Sequence, residues 1–139
     1  MSRERVTTTL GELASEWGLP GLALDENDFL CIETDDRLIN IDYFEDADAV
    51  SMYGTVAEVP EDRRLECFRM MLQANHGLAG GEVPQALALD PTEQLALLRA
   101  EIPVYELTLP GLLSAISNFV RDLNSWTERF EQFALQQSV

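Results

Sequence analysis

The stretch that decides the reading runs from Glu61 to Gly77, EDRRLECFRMMLQANHG. At about 100° per helical residue, Leu65, Cys67, Phe68, Met70, Met71, Leu72 and Ala74 sweep an arc of roughly 220°, leaving Asp62, Glu66, Arg69 and Gln73 as one narrow polar stripe. One flank of such a helix covers the protein's own sheet. The other flank needs a partner, since a chain of 139 residues usually builds only two packed layers. A symmetric second copy is the simplest source of one, so the expectation is a homodimer with Leu65, Cys67, Phe68, Met70, Met71 and Ala74 at the contact. The competing arrangement sandwiches this helix inside one monomer's core.

Working outward, Pro60 sits just before the helix, where its missing N–H costs nothing. Upstream, the runs Leu22 to Leu24, Phe29 to Thr34, Leu38 to Phe44 and Val50 to Val59 alternate with acidic turns at Asp25 to Asp28, Asp35-Asp36 and Glu45 to Asp48. In Leu38 to Tyr43, Ile39, Ile41 and Tyr43 share one face while Leu38, Asn40 and Asp42 share the other, the pattern of a sheet with one wetter side. A first helix runs from about Arg3 to Trp17, with Val6, Leu10, Leu13, Ala14 and Trp17 on one face and Gly18 ending it before Pro20. A capping box of Thr9 with Glu12 would start that helix later.

Downstream, a glycine-rich loop at Gly77 and Gly80-Gly81 leads into a hairpin with arms Val83 to Leu89 and Leu95 to Glu101. The last helix starts near Thr108 and could reach residue 135, roughly 40 Å at 1.5 Å per residue. It carries Leu109, Leu112, Leu113, Ile116, Phe119, Val120, Leu123, Trp126, Phe130 and Phe133 along one stripe. The predicted architecture is α+β, in the order α-βββ-α-ββ-α: one twisted, mainly antiparallel sheet with three helices packed on it, as a single domain over residues 1–139.

Composition narrows the function. Hydrophobic residues make up 46% of the chain, enough for an ordinary core. No apolar run reaches the length of a membrane span, and no apolar segment follows the N-terminal arginines as in a secretory signal, so a cytoplasmic protein is expected. Acidic residues number 25 against 9 basic, a formal net charge of −16. That field opposes binding to nucleic acid or anionic lipid and keeps an apolar binding surface dispersed. All nine basic residues are arginine, which removes the Walker A loop, Schiff-base chemistry and any lysine base.

The search for catalytic chemistry finds little. His76 is the single histidine, placed where a cation complements the C-terminal dipole of a helix. Cys31 and Cys67 read as free thiols on a strand and a helix. A Cys67–His76 dyad would have to span roughly 13 Å of helical rise. The carboxylates of Asp42, Glu45, Asp46 and Asp48 lack the glycine and glutamate of a calcium-binding loop. No enzyme activity, catalytic residue, metal or cofactor is expected, an enzyme with a carboxylate-only mechanism being the minor alternative.

A family resemblance completes the reading. Met52-Tyr53-Gly54 closing a strand, Met71-Leu72-Gln73-Ala74-Asn75 ending the second helix, the glycines from Gly77 to Gly81, Leu87-Ala88-Leu89-Asp90 and Leu95-Ala96-Leu97 resemble the class I chaperones of bacterial type III secretion, the CesT type. The resemblance implies a homodimer whose two protomers meet through the second helix and neighbouring strands. It also implies capture of an effector's N-terminal segment, held extended and export-competent in apolar grooves, sometimes as a strand added to a sheet edge. The secretion ATPase is a further candidate partner. The expected effector-binding residues are Leu10, Leu13, Trp17, Leu22, Phe29 and Leu30, with Trp17 as aromatic anchor. The alternative is an acidic inhibitor or immunity protein that binds a folded basic target through its carboxylates.

Overall fold

Aspartates make corners of the sheet. In the computed structural model, which describes residues 2–19, 21–78 and 84–136, Asp35 and Asp36 both adopt left-handed backbone (φ 50° and 63°) between β1 (Phe29–Thr34) and β2 (Arg37–Phe44). A two-residue turn of this hand matches the twist of paired strands. Asp48 (φ 49°) turns the chain into β3 (Ala49–Glu58), and Glu93 (φ 60°) lies between β4 (Gln85–Leu89) and β5 (Leu95–Pro103). The Asp90 carboxylate accepts from the N–H groups of Gln94 and Leu95 at 2.9 and 2.8 Å. In the sheet, the order is β1-β2-β3-β5-β4 and every neighbouring pair is antiparallel.

One face of that sheet makes the core. Ile32, Ile39, Ile41, Val50, Met52, Leu87, Leu98 and Ala100 are all buried there. Across it lies α3 (Leu109–Leu135), whose Leu112, Ile116, Phe119, Val120, Leu123, Trp126 and Phe130 are buried. The Thr108 hydroxyl caps this helix by accepting from Gly111 N–H at 3.1 Å, and Pro110 occupies the first turn, where no N–H is missed. Beside it, α1 (Ser2–Trp17) buries Val6, Thr9, Leu10 and Leu13. Thr9 is therefore inside the helix and not at its cap, so the capping-box start is set aside. The elements follow the predicted α-βββ-α-ββ-α order.

The decisive stretch begins with a 3₁₀ turn, Glu61–Arg63, and continues as α2 (Arg64–Leu78), which packs beside β4. Arg63 holds its start to the end of α3. The guanidinium donates to the carbonyls of Phe133 (2.6 Å) and Gln136 (2.8 Å) and stacks 4.0 Å over the Phe133 ring, a cation placed where a helix C-terminus is negative. Earlier along α3, Arg37 ties the first hairpin to the helix through Asn124 and Thr127, both at 2.8 Å.

The run Leu22 to Leu24 forms no strand; its leucines pack half-buried against the core while Asp25 N–H bonds Phe29 C=O and closes a turn. Pro20, Gly80-Gly81 and Val83 lie outside the described residues. Among those described, no helix is long and apolar enough to cross a membrane.

Candidate functional site

The β1 edge of the sheet is the first candidate surface. Asp28 C=O accepts from Tyr43 N–H on β2, so Asp28 faces inward; Phe29 instead faces outward, its N–H and C=O taken by the Asp25 side chain and backbone. Direction alternates along an antiparallel strand. The N–H and C=O groups of Cys31 and Glu33 therefore also point away from β2, and no hydrogen bond satisfies them among the described residues. Several apolar side chains of β1 and of the elements before it stay partly uncovered. Trp17, Leu22, Leu24 and Leu30 are half-buried against the core, and Leu19 is 43% exposed.

The entrance to β1 is pinned by charge. Arg3, in the first turn of α1, donates to both oxygens of Asp28 and to Glu45, and lies 5.2 Å over the Tyr43 ring. The guanidinium holds the Asp28 carboxyl below the usual carboxylate range. Hydrogen bonds from the Thr92 hydroxyl and from the backbone lower Asp90 in the same way. A depressed folded value means stability that is present above the unfolded carboxylate range, near pH 4, and lost as pH falls through the lower value. Burial raises Asp42 and gives it the opposite sign. Thermal melts should accordingly lose midpoint below about pH 4, and Asp28→Asn should show a smaller acid-dependent loss than the wild type. Equal acid slopes would reject that role for Asp28.

The second surface is the outer side of α2. Leu65 and Leu72 are 70% and 72% exposed, and Phe68 lies half-buried between them with the Arg64 guanidinium 5.6 Å above its ring. At i, i+3 and i+7 these three form one stripe. A third patch lies on the sheet face away from the helices. There Leu38 is 60% exposed, and Arg99 stacks 5.0 Å over Tyr53 while donating to the Ser51 hydroxyl at 2.8 Å.

Four of the expected site residues move into the core. Leu10 and Leu13 are 3% and 0% exposed, and Cys67 and Met71 are 0% and 4% exposed. The helix period showed an apolar arc in each case but not which part of it the sheet and α3 would cover. Trp17, Leu22, Phe29 and Leu30 stay at the surface, half-buried, as do Phe68, Met70 and Ala74. Leu72 belongs with Leu65 and Phe68, as its place in the original arc allowed. The outward amides of Cys31 and Glu33 carry no side-chain signal and needed the strand register.

The profile described as "Tir chaperone protein (CesT) family" matches residues 8–127. The chain belongs to this family. Among curated proteins none matches the sequence. The CesT-family fold recurs in solved structures. In the ExsC-ExsE complex, a chain matches with TM-score 0.78 at 20% identity, covering 91% of this chain and 93% of that one. In the HopA1-SchA chaperone-effector complex the values are 0.74, 19%, 92% and 97%. The Yersinia pestis type III secretion chaperone SycH, bound to a fragment of YscM2, gives 0.67, 15%, 87% and 98%. At these identities the likeness is one of fold. For this CesT-family member, the matched span runs from within α1 to within α3 and includes the β1 edge, the outer side of α2 and the patch around Leu38.

Proposed function

We propose that the protein is a type III secretion chaperone that binds the N-terminal segment of a cognate effector in extended form and works as a homodimer without enzymatic chemistry. The observation that carries this reading is the unpaired edge of β1, with half-buried Leu30 on the strand itself and half-buried Leu22 and Trp17 in the segments that precede it. An extended segment adding there would pair its backbone with Cys31 and Glu33. Its alternate side chains would cover apolar surface at the end of α1. Ordering a disordered segment costs conformational entropy, which keeps the net affinity moderate and allows release without a covalent step. Family membership and the chaperone-effector complexes of like fold support the same reading. The two exposed leucines of α2 supply the dimer contact.

Trp17→Asp tests the guest surface. It should abolish co-purification of the N-terminal region of the protein encoded by the adjacent reading frame, while the assembly mass stays that of the wild type. Undiminished co-purification removes Trp17 from the surface. The net charge of −16 favours the other reading, an inhibitor of a basic target. Salt separates the two. Backbone pairing and apolar contact hold as salt rises, whereas capture through exposed carboxylates weakens steeply as the screening length shortens. Binding that survives 1 M salt therefore rejects the inhibitor.

A further inference from the structure

The two edges of the sheet are not equivalent. On β4, Asp90 N–H bonds Leu95 C=O across the hairpin, so the outward-pointing residues are Gln85, Leu87 and Leu89. The central one of these is occupied. The Asn75 carboxamide oxygen accepts from Leu87 N–H at 2.7 Å, and its NH₂ donates to Leu87 C=O at 3.0 Å. These are the two bonds that a residue of a neighbouring antiparallel strand would exchange with Leu87. Only one orientation of the amide satisfies both, and only Asn or Gln carries a donor and an acceptor in that fork. Asn75 is held in place because α2 is anchored beneath it by buried Cys67 and Met71.

We propose that Asn75 is a built-in substitute for a strand, closing the β4 edge so that an added guest strand can enter only at β1. An open row of unpaired backbone groups invites strand addition, and a blocked middle position interrupts the row. β4 has five residues, so one occupied residue at its centre leaves no continuous run to pair with. At β1 the corresponding groups of Cys31 and Glu33 are free among the described residues. This inference rests on the chaperone reading for the identity of the guest; the closure of β4 stands apart from it. Edge selection would give one guest strand per protomer with a defined direction of wrapping.

Amide hydrogen exchange, resolved by residue, tests both halves. In the protein alone, Asn75→Ala should speed exchange at Leu87 N–H at least tenfold while Leu97 and Arg99, bonded within the sheet, keep their rates. Asn75→Asp, which keeps the acceptor and loses the donor, should fall between. An unchanged Leu87 rate in Asn75→Ala overturns the closure. With the wild type, the N-terminal region of the protein encoded by the adjacent reading frame serves as the probe. Its binding should slow Cys31 and Glu33 at least tenfold and leave Gln85 and Leu89 unaltered. Slowing at Gln85 and Leu89 instead, or bound probe with no slowing at Cys31 and Glu33, overturns the edge selection. If the probe does not bind, the choice of guest fails, and the Leu87 measurement still decides the closure.

Discussion

Replacing Leu65 and Leu72 together by glutamate is expected to turn a two-chain particle into single chains of 15.6 kDa at micromolar concentration, as read by light scattering. In the isolated chain these leucines are 70% and 72% exposed. Covering both on each protomer of a dimer removes apolar area worth on the order of 4–8 kcal/mol per dimer, taking about 1.5–3 kcal/mol for a fully buried leucine. Every 1.4 kcal/mol is tenfold in affinity. Losing even the lower figure therefore moves the dissociation constant by roughly a thousandfold. The substitution also sets new carboxylates against one another across the contact, on a chain that already carries −16. Raising salt should for the same reason strengthen the proposed dimer, because screening weakens repulsion between like-charged protomers.

The choice of positions matters as much as the charge. Met71 is 4% exposed and belongs to the protein's own core, so a Met71→Glu variant would unfold the chain and report nothing about assembly. Leu65 and Leu72 lie outside that core, so the double variant should keep wild-type helix content by circular dichroism. A wild type that already runs as one chain would remove the dimer, and a double variant that stays paired would move the contact away from α2.

How far the sequence carried the fold depended on the range of the interactions involved. The α3 stripe and the helix start near Thr108 are local signals, and the predicted span of residues 108–135 agrees with Leu109–Leu135. The Asp35-Asp36 turn was legible for the same reason. Burial on a given side of a helix is not local. Leu10 and Leu13 in α1, and Cys67 and Met71 in α2, share a period with Trp17 and Leu65, and only the placement of the sheet separates the covered from the bare. Asn75 is further still from legible, since its partner Leu87 belongs to another element and contributes only backbone atoms.

One short motif behind the family resemblance has a physical explanation. Gly54, closing Met52-Tyr53-Gly54, is buried on β3 opposite Leu98, and α3 crosses directly over it. A Cβ at this position would lie 3.0 Å from Leu123 Cδ2 and 3.3 Å from the Leu38 carbonyl oxygen. Leu123 is itself 0% exposed, so its side chain must give way within the core, and the Leu38 contact is to backbone. The requirement for glycine is thus one of space between helix and sheet. Gly54→Ala should cost about 1–3 kcal/mol by overpacking, and Gly54→Val more. Domains of this kind hold only about 5–15 kcal/mol in all, so the valine variant should leave a substantial unfolded fraction at 37 °C. Leu123→Ala alone should cost about 2–5 kcal/mol through its cavity. Because the two changes act on one space with opposite signs, the double variant Gly54→Ala, Leu123→Ala should be more stable than the sum of the singles by about 0.5–3 kcal/mol. Urea midpoints at constant slope measure all three variants. A Gly54→Ala midpoint equal to that of the wild type, or strict additivity in the double variant, would mean that α3 does not rest on this glycine.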